Sequence, residues 1–370
     1  MRKDEVSDDL NEGRITADII NTLSITFLGT TSAKPTSTRN HSSLVLRFED
    51  DVWLFDCGEA TQHQIRKWGA VKIETINKIF ITHTHGDHIF GICPLLASCM
   101  KPPIFTTEGV EPRIHIDVTN SQPLEVYGPL GTRAYIRNTL FYTHTVLNGT
   151  YVVHELRFPT DPQDGDYTAL SRSPYELEGR NIRQVNGIWE SIYSDGAVSV
   201  SAAPIYHSVP CVGYVVNECL AHSFVDSSNG TLPSEQPQRR GRKLVILGDT
   251  HNPSPIVELA VDADVLIHEA TNSYLPPEID PITKPTDTYE MVEARARSRG
   301  HSTPQMAGAF AKQVRAKKLV LNHFSSRYPG DDSESTERIM DAIGRLAGEE
   351  FGGEVVCARD FLSLDIARTE

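Results

Sequence analysis

The sequence has little of what would carry a chain into or across a membrane. Its longest apolar runs, such as LVIL at 244–247, fall far short of the roughly 20 residues a spanning helix needs. The opening stretch, MRKDEVSDDLNEGR, is charged and acidic. It lacks both the apolar core of a secretory signal and the Arg-rich, acid-poor pattern of a transit peptide. Cysteine is sparse: six residues, at 57, 93, 99, 211, 219 and 357, without framework spacing. Reduced thiols in a cytoplasmic and/or nuclear compartment are therefore expected rather than a disulfide scaffold. Positive charge is short as well. With 35 Lys and Arg against 49 Asp and Glu, the formal net charge is −14, which argues against indiscriminate polyanion binding. Basic clusters remain at QRRGRK (238–243), ARARSRGH (294–301) and AKQVRAKK (311–318). Taken singly, each reads as a solvated face or loop.

What is present fits a soluble protein with a large core: 370 residues, 39% hydrophobic and 23% charged. Residues 1 to 20 read as a flexible tail. From Leu23 onward short strands alternate with helices. Strands are expected at 23–28, 42–48, 52–56, 77–82, 124–129, 244–247, 265–267 and 318–321. Helices are expected at 61–69 and near 131–141, and another follows the Ser302-Thr303-Pro304 cap. Residues 157–197 read as a surface insertion. Residues 221–243 are polar enough for a flexible loop. Several apolar strands run straight into acidic or histidine side chains, as sheet ends do where ligands collect in layered α/β proteins.

One window carries chemistry of its own. ITHTHGDHIFG (81–91) places His83, His85, Asp87 and His88 directly after an apolar strand. Alternate residues in an extended turn project the same way, so His83 and His85 can share one ion. Asp87 and His88 then face a second. Imidazole with carboxylate suits zinc, though other first-row metals accept the same donors. Four residues cannot complete two coordination shells, so further donors must come from other strand ends. Asp249 in ILGDT, His323 in VLNHFS and, with less support, His144 in LFYTHT are the candidates.

These motifs resemble the metallo-β-lactamase fold, a four-layer αββα sandwich, and within it the ribonuclease Z branch of tRNA 3′-processing endonucleases. The likeness is carried in order by FLGTTSAKPTSTRNHSS (27–43), LFDCGEATQ (54–62), the 81–91 window, VYGPLG (126–131), LGDT, IHEAT, GHSTPQMA (300–307) and LVLNHFSSRY (319–328). It implies one domain over residues 21–369 and two zinc ions per subunit. One ion would sit on His83, His85 and His144, the other on Asp87, His88 and His323, with Asp249 between them. It also implies Asp87 orienting the attacking water and His301 as general acid, polarised by Glu269. Substrate contacts would come from Arg39, Asn40, His207, Ser302, Thr303 and Arg327, while Asp56 would fix strand ends. The implied substrate is precursor tRNA and the implied assembly a homodimer, with no membrane partner. One feature departs from the family. The arm that grips tRNA should lie between GYVVNE (213–218) and LGDT, yet only about 25 residues separate them. The 217–243 region thus reads as a reduced, shortened exosite arm, with Arg239, Arg240, Arg242 and Lys243 as its remaining cations. A phosphodiesterase of the same fold acting on a small or cyclic phosphodiester is the alternative.

Overall fold

Strands such as Lys243–Leu247 and Val265–Glu269 are apolar at consecutive positions because they are covered on both faces. Side chains alternate across a strand. Leu244, Ile246, Val265 and Ile267 therefore enter one core, while Val245, Leu247 and Leu266 enter another. The computed structural model describes residues 20–49, 51–100, 122–220 and 240–368. Within them the expected strands and helices form with end shifts of a few residues.

The first sheet orders its strands as Ser363–Asp365, Leu23–Gly29, Ser43–Phe48, Asp51–Phe55, Ile76–Phe80, Leu124–Pro129 and Tyr151–Arg157. The pairs from Asp51–Phe55 through Tyr151–Arg157 are parallel. The second runs Trp189–Ser194, Val198–Ile205, Cys211–Glu218, Lys243–Leu247, Val265–Glu269, Lys318–Asn322 and Glu354–Cys357. Its pairs from Lys243–Leu247 onward are parallel.

Three apolar layers glue the molecule. Phe27, Trp53, Phe55, Phe80, Tyr127, Trp189 and Tyr214 fill the space between the sheets. Ile65, Ile79, Ile92, Leu96 and Ile136 join the first sheet to its helices. Leu266, Phe310, Leu319 and Ile343 join the second sheet to the Pro304–Gln313 and Glu334–Phe351 helices. Three cores between successive layers make four layers, the αββα sandwich the motifs imply.

Residues 157–197 are not the loose insertion expected from composition. Asn181–Arg183 pairs with Tyr151–Arg157 and Trp189–Ser194 pairs with Val198–Ile205, so the segment extends both sheets. Buried arginines fasten it: Arg137 bonds Glu176 at 2.6 Å and Arg133 bonds Asp166 at 2.7 Å. The weak periodicity reflects short strands pinned by ion pairs rather than by apolar stripes. The expected tail lies, apart from Ile20, outside the described residues, as does the central part of the reduced arm.

Candidate metal centre

Sequence position decides how each donor reaches the centre, because a strand end fixes where its next side chain points. The Ile76–Phe80 strand leads to His83, which is fully buried, and to His85, which precedes the short Gly86–Ile89 helix. Asp249 follows Lys243–Leu247, Glu269 closes Val265–Glu269, and His323 follows Lys318–Asn322. His207 follows Val198–Ile205. His323 and Asp56 both hold a positive φ, 55° and 58°. Side chains other than glycine rarely adopt it, and it is tolerated where surrounding bonds over-determine the site.

The donors converge. His83, His85 and His207 form one group whose ligand atoms lie within 4.8 Å of one another; His83, His88 and Asp249 form a second, and Asp87, His88 and His323 a third. Nitrogens approach nitrogens: His83 Nε2 lies 3.1 Å from His85 Nδ1 and His88 Nε2 lies 3.2 Å from His323 Nε2. Behind the centre, the outward nitrogens are anchored. His88 Nδ1 meets Asp56 at 2.6 Å, His323 Nδ1 meets the Thr271 hydroxyl at 3.0 Å, and His207 Nδ1 meets the Gly300 carbonyl at 2.8 Å. Each ring thus turns its Nε2 inward, the arrangement that outer hydrogen bonds impose on metal-binding histidines.

The electrostatics call for positive charge. Burial alone would raise the pKa of Asp249, but His323 and His88 hold it well below the usual carboxylate range. Burial likewise opposes a proton on His88, yet Asp249 and Asp56 lift its pKa well above the ordinary histidine value. Burial keeps His83 well below that value, and hence neutral. Ionised carboxylates that hold a proton on His88 mark a point where positive charge is favoured, and a divalent cation such as zinc would take that proton's place among the imidazoles.

Beside the donors sits a second unit. His301 Nδ1 contacts Glu269 Oε1 at 3.0 Å, and Asp249 Oδ2 is 3.8 Å away. Burial acts to lower the His301 pKa, but Glu269, by charge and hydrogen bond, carries it up to about 9. Glu269 is itself fixed by donors: the Thr250 amide at 2.7 Å, the Ser302 amide at 3.1 Å and the Thr271 hydroxyl at 2.6 Å.

The structure brings some of the expected site residues together and places others elsewhere. His144 lies outside the centre, in an exposed turn after the Thr132–Tyr142 helix, and no donor group among the described residues includes it. His207 stands beside His83 and His85 instead. The signal was available, since IYHSVP places a histidine after an apolar strand just as LVLNHF does. Arg39 is buried and spends its guanidinium on the Tyr328 and Ala358 carbonyls and the Thr30 hydroxyl, so it pins loops together. Asn40 is tied to Asp360 and the Glu59 carbonyl. Ser302 is buried on the Thr250 carbonyl and Thr303 caps the Pro304–Gln313 helix. Arg327 bonds the Ser273 carbonyl. Asp56 does more than fix strand ends, since it orients His88.

Three of the remaining arm cations lie among the described residues and have partners there. Arg242 is buried against Glu218 at 2.9 Å and bonds the Ile20 and Ile366 carbonyls. Lys243 Nζ bonds the Val261 carbonyl, and Arg240 pairs with Asp264. Arg239 lies outside the described residues. Arg242 and Lys243 thus close the sheet end, while Arg240 stands half exposed on the rim.

The family model for anti-Pycsar protein Apyc1 matches residues 23–124. The chain is 35% identical to human zinc phosphodiesterase ELAC protein 1, over 93% of this chain and 98% of that protein. It is 32% identical to ribonuclease Z of Acaryochloris marina, over 94% and 98% respectively. Among solved structures, human tRNase Z, short form, superposes with a TM-score of 0.63 at 34% identity, covering 93% of this chain and 99% of that one. The metallo-β-lactamase fold protein YhfI from Bacillus subtilis shares the fold, with a TM-score of 0.56 at 17% identity. By sequence, fold and the order of its site motifs, the chain belongs to the ribonuclease Z family of the metallo-β-lactamase fold.

Proposed function

We propose that this chain is an endoribonuclease that removes the 3′ trailer from precursor tRNA by phosphodiester hydrolysis, leaving a 3′-hydroxyl on the tRNA. The observation that carries the reading is the His301–Glu269 pair standing 3.8 Å from Asp249 at the edge of the donor cluster, in a chain of this family. Breaking the bond to the ribose O3′ expels an alkoxide, a poor leaving group that needs a proton as it departs.

The donor set fits two zinc ions per subunit, one among His83, His85 and His207, the other among Asp87, His88 and His323, with Asp249 shared. Zinc bound there supplies charge to the phosphate oxygens and makes water a nucleophile near neutral pH. The residues do the rest. Asp56 and Thr271 hold the His88 and His323 rings in register. Asp87, its Oδ2 fixed by the Ala33 amide at 2.7 Å, orients the attacking water. Glu269 keeps a proton on His301 Nδ1, so Nε2 delivers its own proton to O3′. The trailer retains the phosphate as a new 5′ end.

Precursor tRNA is the substrate and a homodimer the assembly in this reading, with a cytoplasmic and/or nuclear location. No helix among the described residues is long and apolar enough to cross a membrane. The test compares cleavage of a precursor tRNA, mapped to the nucleotide, with hydrolysis of bis-p-nitrophenyl phosphate. Cleavage directly after the tRNA 3′ end supports the reading. Turnover of the small diester alone, with intact precursor, would replace it by a phosphodiesterase of small substrates.

A further inference from the structure

Phe90 follows the short Gly86–Ile89 helix that carries Asp87 and His88, yet the residue is 56% exposed. Burial therefore does not explain where the ring sits. Its position is nevertheless specified. A Cβ on Gly86 would lie 2.2 to 2.7 Å from three ring carbons, so the ring lies directly against the Gly86 backbone, between His85 and Asp87. On its far side the ring stacks on Tyr135, with centroids 6.3 Å apart and planes at 26°. Tyr135 is rooted in the helical layer over the first sheet. The result is a braced aromatic surface on the rim of the donor cluster, open to solvent.

Its side of the cluster matters. His301 belongs to the second sheet's helical layer, between the Tyr289–Ser298 and Pro304–Gln313 helices. Phe90 belongs to the first sheet's layer, and the donors come from both sheets between them. If O3′ departs toward His301, the tRNA end lies on that side and the RNA leaves the centre on the other. Every base has a π-face, so an exposed ring at that exit recognises a nucleotide without regard to its identity.

We infer that Phe90, braced by Tyr135, is a stacking platform for the base of the first trailer nucleotide, the one just 3′ of the scissile phosphate. This rests on the functional reading above. It makes Phe90 a specificity-determining residue that favours an ordered single-stranded trailer over a diester without a base.

The experiment measures kcat/KM for the holoenzyme on precursor tRNAs whose first trailer nucleotide is normal or abasic, with wild type, Phe90→Leu and Phe90→Tyr. Stacking of one base corresponds to roughly a 5- to 100-fold effect. Wild type should lose about that factor on the abasic precursor. Phe90→Leu should lose a similar factor on the normal precursor and little more on the abasic one, while Phe90→Tyr stays near wild type. Equal rates of wild type on the two precursors would overturn the platform whatever the variants do. So would a full abasic penalty persisting in a Phe90→Leu enzyme with wild-type melting. A wild type that cuts neither precursor overturns the endoribonuclease reading itself, and the platform with it.

Discussion

His207 Nε2 lies 3.3 Å from His85 Nδ1, across 122 residues of sequence. The contact joins the two sheets at the metal centre: His85 extends the first, His207 the second. Gly300 secures it from behind, because its carbonyl accepts from His207 Nδ1, and a Cβ there would meet that nitrogen at 2.5 Å.

His207→Ala should therefore lower zinc content and abolish phosphodiester hydrolysis, whereas His144→Ala, in an exposed turn, should leave both near wild type. Metal analysis of the two purified variants decides the matter. Zinc lost with His144 and kept without His207 would reverse the assignment.

Asp56→Asn keeps the shape but removes the charge that holds His88 Nδ1. Outer-sphere carboxylates of this kind are worth about 10- to 100-fold in metal affinity. Competition with a chelator should show a loss of that order, with the fold intact by circular dichroism. An unchanged affinity would mean that His88 is oriented by packing alone.

His301→Ala should retain zinc while slowing precursor cleavage by roughly 10²- to 10⁴-fold. A p-nitrophenolate leaving group needs little protonation, so hydrolysis of the small diester should suffer less. Equal losses on the two substrates would remove His301 from the role of acid.

Arg242→Ala strips one counter-charge from the buried Glu218 and leaves, among the described residues, Arg368 beside it. Breaking a buried pair costs about 3–5 kcal/mol, so melting should fall by several degrees, while Arg240→Ala on the exposed rim should change stability by less than about 0.5 kcal/mol. Similar melting of both variants would contradict the buried role.

Acid stability should depend on Glu125, far along the Leu124–Pro129 strand from the centre. Burial would raise its pKa, but bonds from His154 and Tyr127 and the charge of Lys78 bring it down from 4.5 to about 2. A depressed carboxylate stabilises the fold above its unfolded pKa, and that contribution disappears as pH falls through the folded one. Glu125→Gln should thus be less stable than wild type at neutral pH, and the gap should close between about pH 4.5 and 2. A gap that is constant across that range would show that the hydrogen bonds matter and the charge does not.

The sequence determined what local chemistry determines. Doubly covered strands announce themselves as unbroken apolar runs, so Leu244–Leu247, Val265–Ile267 and Leu319–Leu321 could be placed without coordinates. Four metal-capable residues within one turn announce a donor cluster, and the ordered motifs around them mark the family. What no local pattern holds is which distant side chain completes a shell, or whether a polar residue near the site faces it. His144 and His207 both sit in plausible windows. Only the pairing of Val198–Ile205 into the second sheet brings His207 to His85 and leaves His144 in solvent. Arg39 sits in a motif that suggests contact with RNA, yet carbonyls from residues 328 and 358 consume its donors. Composition made 157–197 a loose insertion, whereas ion pairs from Arg133 and Arg137 on another helix turn it into strand. Such partners lie tens to hundreds of residues away, and their bonds exist only once the two sheets have packed.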